Sequence, residues 1–193
     1  RKFGWDTQAS FKFMIDCLDR DGRGAIFDKW LQSHNQFSKT LVSQCVRLYR
    51  NHEPNIALNE YAKRLLPLLR QDHQLYLVTD GHKVAQTRKV EALRIRPYFE
   101  RVLITHNFGI KNAKPSPYCF ERIRTFESCS WSEMVYIGDN PAKDFVAMNQ
   151  RGAHTVRVLT GGHRNAVAAP GFEAQHTLES LGELEELLPT IIG

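Results

Sequence analysis

After residue 55 the chain changes period again and again, and this constrains its fold more than any other feature. Leu75-Tyr76-Leu77-Val78, residues 101–105, Met134-Val135-Tyr136-Ile137 and residues 154–159 are short apolar-rich runs. Between and around them, residues 58–70, 84–93, 118–126, 142–150 and 178–188 carry apolar side chains at helical spacing. Runs of that length suit strands, and the longer periodic stretches suit amphipathic helices. Strand and helix alternating four times predicts parallel strands joined by helical crossovers, with a sheet covered on both faces. The expected fold class is therefore α/β with a Rossmann-like parallel sheet. Pro67 is expected to bend the first of these helices near its end, and Gly152 to stop the fourth.

The chain before Glu53-Pro54-Asn55 has a different character. Phe11, Met14, Ile15 and Leu18 fall on one helical face, Asp21-Gly22-Arg23-Gly24 breaks that helix, and Leu41, Cys45 and Leu48 begin another stripe. No strand-like alternation occurs there. Residues 1–53 read as a small helical unit and 54–193 as the α/β core. A length of 193 residues fits one core with a small appendage.

Composition removes several classes. Hydrophobic residues at 42% and charged residues at 24% are ordinary globular usage, which sets disorder aside. No apolar run approaches the roughly 18 residues of a membrane helix. The net charge of +5 comes from scattered basic residues, which suits small anions better than a nucleic-acid groove. Cys17, Cys45, Cys119 and Cys129 form no CxxC pair, and no HExxH is present. Reduced thiols in a cytoplasm are expected.

In parallel sheets ligands bind beyond the carboxyl ends of the strands, so the polar residues there are the candidates. Thr79-Asp80-Gly81 offers a hydroxyl and turn N–H groups that can hold an anion, or Thr79 merely caps the next helix. Lys114 lies on a loop stiffened by Pro115 and Pro117; it can neutralise phosphate, or be an ordinary surface lysine. Asp139 follows Gly138 at a strand end, and Asp144 is expected in the first turn of the next helix. Two hard carboxylates placed so suit Mg²⁺, which keeps waters and prefers carboxylate plus phosphate; helix capping is the plainer alternative.

The order Thr79-Asp80-Gly81, Lys114-Pro115-Ser116-Pro117 and Gly138-Asp139-Asn140-Pro141-Ala142-Lys143-Asp144 resembles the haloacid dehalogenase-like (HAD) superfamily. Thr79 matches its second motif, Lys114 its third, and Asp139 with Asp144 its fourth. The resemblance covers nearly the whole chain, with residues 24–53 similar to a helical cap inserted after the first strand. It implies a Mg²⁺-dependent phosphatase acting on a small phosphorylated metabolite, a sugar phosphate or nucleotide. In that scheme Thr79, Asp80, Gly81 and Lys114 hold phosphate, Lys114 also balances charge, and Asp139 and Asp144 serve the metal. Arg23, Phe27 and Trp30 belong to the cap.

The superfamily's first motif, a strand followed by DxDx[TV], supplies the nucleophile and the general acid and base. It has no counterpart here in the expected place. Asp19-Arg20-Asp21 has the DxD spacing, but its upstream apolar residues have helical period and Gly22 follows it. The motif is expected upstream of Arg1, on a chain cut or processed at its N-terminus. The rival readings are a non-catalytic binding or regulatory module and a metal-free 2-haloacid dehalogenase. A Rossmann dinucleotide enzyme lacks its GxGxxG.

Overall fold

The computed structural model describes residues 3–22 and 24–192, so Arg23 lies outside the described residues. The chain forms two compact units, residues 1–52 and 53–193.

The first unit is helical: α1 (Thr7–Asp21), α2 (Ile26–Ser33) and α3 (Lys39–Asn51). Each start and stop has a local cause. Asp6 and Ser38 accept backbone hydrogen bonds from Ala9 and Leu41 as N-caps, and Gly22 ends α1 with φ 74°. Asp19-Arg20-Asp21 is thus a helix end. Asp21 pairs with Arg20 and Lys29, which hold its carboxyl below the usual carboxylate range. Of the aromatics, Trp30 meets Trp5 edge-on with centroids 5.0 Å apart, and Phe27 meets Tyr49 at 6.1 Å.

The second unit is α/β. Its elements are α4 (Glu60–Asp72), β1 (Tyr76–Thr79), α5 (Lys83–Leu93), β2 (Arg101–Ile104), α6 (Tyr118–Glu127), β3 (Val135–Gly138), α7 (Val146–Asn149), β4 (His154–Val158), β5 (His176–Leu178) and α8 (Leu184–Ile192). Every strand pair is parallel. Thr79 lies opposite Ile104, Gly138 opposite Arg157, and Val156 opposite His176. Both faces are covered. Leu69 of α4 and Leu184 and Leu188 of α8 pack with Val156 and Ile137. On the other side Cys119 and Ile123 of α6 pack with Leu103 and Val78, and Phe120 packs against both Val78 and Tyr136.

The strands form two ladders rather than one continuous sheet, β1–β2 and β3–β4–β5. Between β1 and β3 lies a cavity of about 540 Å³, lined by Tyr76, Leu77 and Val78 on one side and Val135, Tyr136 and Ile137 on the other. Leu66, Leu69, Leu188 and Ile192 close it from the helical layer. Most of this lining is apolar, as a slot inside a sheet should be, with Asp72, Gln74, Glu127 and Glu133 also among it.

Three expectations need correction. Residues 176–178 form β5, and the last helix begins only at Leu184, after a 3₁₀ turn closed by a Ser180–Glu183 capping box. Three residues are too few to show a strand period. The helix expected over 142–150 is confined to α7, so Asp144 precedes it in a turn, where Asn140 accepts from Ala142 N and Asp144 N. Finally, α4 runs Glu60–Asp72 with Pro67 inside it, so it starts and ends two residues later than the expected 58–70.

Candidate active site

Because β1 and β2 run parallel and in register, the turn after β1 lies beside Thr105 at the end of β2. There Asp80 Oδ1 accepts from Thr105 Oγ1 at 2.6 Å and from Lys114 N at 3.3 Å, while Oδ2 pairs with Lys143 Nζ at 2.9 Å. Burial pushes the Asp80 carboxyl up, but these donors outweigh it and hold it below its ordinary value. Asp80 is therefore an anchored carboxylate.

Thr79 does not cap α5, whose N-cap is His82. Its hydroxyl donates to Gln86 Oε1 at 2.9 Å, and Gln86 Nε2 reaches back to Asp80 O at 3.2 Å. The Gln86 amide thus lies over the turn. Gly81 allows this: its φ is +137°, and a Cβ would stand 2.7 Å from Gln86 Nε2.

Lys114 is only 10% exposed and is no ordinary surface lysine. Its ammonium donates to Asp144 Oδ1 at 2.6 Å and to Tyr136 OH at 3.1 Å, and Tyr136 OH also donates to Asp144 Oδ1 at 3.2 Å. Asp144 Oδ2 accepts from the backbone N–H groups of Asn140 at 2.9 Å and Asp139 at 3.3 Å. Both Asp144 oxygens are engaged in a 2% exposed site, against Gly138, where a Cβ would come within 2.8 Å of Oδ2. Burial first, and the Asp144 carboxylate second, push the Tyr136 phenol well up.

Asp139 differs. It is half-buried, and among the described residues its carboxylate makes no hydrogen bond or ion pair. Its neighbour Asn140 contacts His163 Nε2 at 3.1 Å. Among the described residues no three His, Cys, Asp or Glu side chains gather as a ready metal cluster. The donor set fits a hard cation through one open carboxylate, with water and substrate oxygens completing the shell, as Mg²⁺ prefers. Asp144, saturated by four donors, fits as the residue that fixes Lys114 and the 139–140 backbone.

All the candidate residues therefore lie at the carboxyl ends of β1, β2 and β3 or on the loops that follow. Thr105, Gln86, Tyr136 and Lys143 join them; of these four, only Lys143 lies within the 138–144 motif.

The haloacid dehalogenase-like hydrolase family matches residues 10–158. The chain is 32% identical over 156 residues to the glyceraldehyde 3-phosphate phosphatase of Methanopyrus kandleri, covering 76% of this chain and 65% of that protein. It is 25% identical over 156 residues to the N-acylneuraminate-9-phosphatase of Rattus norvegicus, covering 80% and 61%. The chain thus spans less than two thirds of these relatives' lengths. Among solved structures, the HAD-hydrolase YfnB from Bacillus subtilis, bound to magnesium, superposes with a TM-score of 0.69 at 17% identity, covering 94% of this chain and 80% of that one. The HAD phosphatase from Thermococcus onnurineus gives 0.60 at 21% identity, covering 97% and 83%. With the family match spanning most of the chain, and the motif residues meeting at one edge of the strands, the chain belongs to the haloacid dehalogenase-like hydrolases.

Proposed function

We propose that this chain is the core and helical cap of a Mg²⁺-dependent phosphomonoester hydrolase acting on a small phosphorylated metabolite, such as a sugar phosphate or nucleotide. The observation that carries this reading is the buried Lys114–Asp144 pair held beside the open carboxylate of Asp139. A fixed ammonium and a free hard ligand together complement a phosphoryl group whose charge develops on its oxygens. The names of the relatives, a glyceraldehyde 3-phosphate phosphatase and an N-acylneuraminate-9-phosphatase, support small phosphate esters.

In this reading Thr79 and the N–H groups of Asp80 and Gly81 hold phosphate oxygens once the Gln86 amide swings aside. Lys114 neutralises the phosphate and the nucleophile. Asp139 would hold Mg²⁺ directly; the ion, when bound, neutralises charge on the transferring group. Asp144 keeps Lys114 in place. The nucleophile is an aspartate on a strand outside this sequence. The apolar slot between β1 and β3 supports that assignment, since a strand there would end beside Lys114. The helical unit, with Phe27 and Trp30, is the cap. Four free cysteines support a reducing cytoplasm.

The test is phosphate release from a panel of sugar phosphates and nucleotides, with and without EDTA, by the protein joined to a strand bearing DxD. Release that EDTA abolishes is expected. Equal release with EDTA would remove the metal role, and phosphate binding without turnover across the panel would favour the binding-module reading. Release of halide from 2-haloacids would favour the dehalogenase reading, which the open Asp139 carboxylate speaks against.

A further inference from the structure

Asp80 raises an electrostatic difficulty for the phosphate reading. It is the middle residue of the turn assigned to the phosphate, and a bare carboxylate there repels a dianion. Three carboxylates, Asp80, Asp139 and Asp144, and two ammonium groups, Lys114 and Lys143, meet at this edge. Lys114 is committed to Asp144 at 2.6 Å, so the counter-charge for Asp80 is Lys143 at 2.9 Å. The Asp80 side chain is 16% exposed and that of Lys143 30%, so the pair is partly shielded from water while the ammonium keeps an open side. Asp80 closes β1 and Lys143 follows β3, so this contact also joins the ends of the two ladders.

Resting on the phosphate-site reading above, we propose that Lys143 is a positioning residue of the phosphate subsite: it neutralises Asp80, so that the turn at residues 79–81 accepts a phosphate dianion. A structural bridge and a charge-balancing bridge differ in one respect. Removing both partners of a structural bridge gains nothing for ligand affinity over removing one. Removing both partners of a charge-balancing bridge restores the neutral turn.

The experiment is calorimetric titration of the chain with inorganic phosphate, below the melting temperature of every variant. Lys143→Met should weaken phosphate binding about tenfold, because it leaves the Asp80 charge uncompensated. The double variant Asp80→Asn/Lys143→Met should recover to within about threefold of the wild type. Lys143→Arg should bind like the wild type. Asp80→Asn alone frees a cation and should bind phosphate at least as tightly as the wild type, an arm that still decides the matter if Lys143→Met does not fold. Unchanged affinity in Lys143→Met, no recovery in the double variant, or weakened binding in Asp80→Asn would each overturn the proposal. Thr79→Val separates the two readings. If it weakens phosphate binding while Lys143→Met does not, only the role of Lys143 fails. If wild type and Thr79→Val bind alike, or neither binds, the phosphate site itself fails.

Discussion

Two aspartates directly follow parallel strands in this molecule, and they end in opposite states. Asp80, after β1, receives Thr105, the Lys114 backbone and Lys143. Asp139, after β3, has a carboxylate that no described residue binds. Their local sequences, Thr-Asp-Gly and Gly-Asp-Asn, are nearly interchangeable as strand-end signals. What separates them is which donors the neighbouring elements deliver. Beside β1, β2 and two loops supply three donors. Beside β3, the available carboxylate donors are taken by Asp144, which Gly138 admits against the backbone. The fold thus spends its local cations and N–H groups on Asp80 and Asp144 and leaves one acid open for a ligand.

The comparison can be broken by substitution. The largest effect on stability is expected at Asp144→Ala, which strands the nearly buried Lys114 ammonium without its partner. Loss of about 3 kcal/mol is expected from denaturant unfolding, in line with breaking a buried pair from one side. Asp139→Ala should do the reverse. Stability should stay within about 0.5 kcal/mol, since no bond to the carboxylate is lost. In the protein joined to a strand bearing DxD, metal-dependent phosphate release should fall about a hundredfold or more, because loss of even an indirect metal partner costs tenfold or more. If Asp139→Ala instead melts far below the wild type, the acid is structural and the contrast disappears.

A smaller change sharpens the same point. Gly138→Ala places a methyl group only 2.8 Å from Asp144 Oδ2. It should cost about 2 kcal/mol by overpacking and loosen Lys114 with it, measured by thermal melting. Smallest is the alkaline effect of Tyr136. Its folded pKa is raised by burial and by Asp144. The neutral phenol therefore contributes stability that is whole below its unfolded pKa of about 10 and is lost as pH rises toward the folded value. Tyr136→Phe should flatten that alkaline decline in stability measured across pH 9 to about 11, while costing about 1 kcal/mol at neutral pH for the lost hydroxyl bonds.

The strand-end acids and Thr79 were legible in sequence because four-residue apolar runs betray parallel strands, and ligands collect where such strands end; Lys114 was legible because Pro115 and Pro117 stiffen its loop. The helical character of α1 was legible from the 3.6 spacing of Phe11, Met14, Ile15 and Leu18. Which acid would be free was not. Thr105, Tyr136 and Lys143 reach Asp80 and Asp144 through tertiary neighbours 25, 8 and 63 residues away, and no local pattern encodes such pairings. Gln86 carries no sequence signal, because a polar residue in the first turn of a helix is ordinary; only the turn geometry at Gly81 brings its amide over the 79–81 turn. Strand β5 was hidden by its length, and the short α7 by an Asn140 turn that takes up residues expected to be helical.

The most direct test of the account is Mn²⁺ binding, with Mn²⁺ standing in for Mg²⁺, followed by the loss of the free-ion signal in electron paramagnetic resonance. The wild type, Asp80→Asn and Asp139→Asn should be titrated under the same conditions, without phosphate. The wild type and Asp80→Asn should take up the ion alike, and Asp139→Asn should take up little. Uptake that survives in Asp139→Asn and vanishes in Asp80→Asn would show that the open ligand had been assigned to the wrong strand end, and would contradict the account.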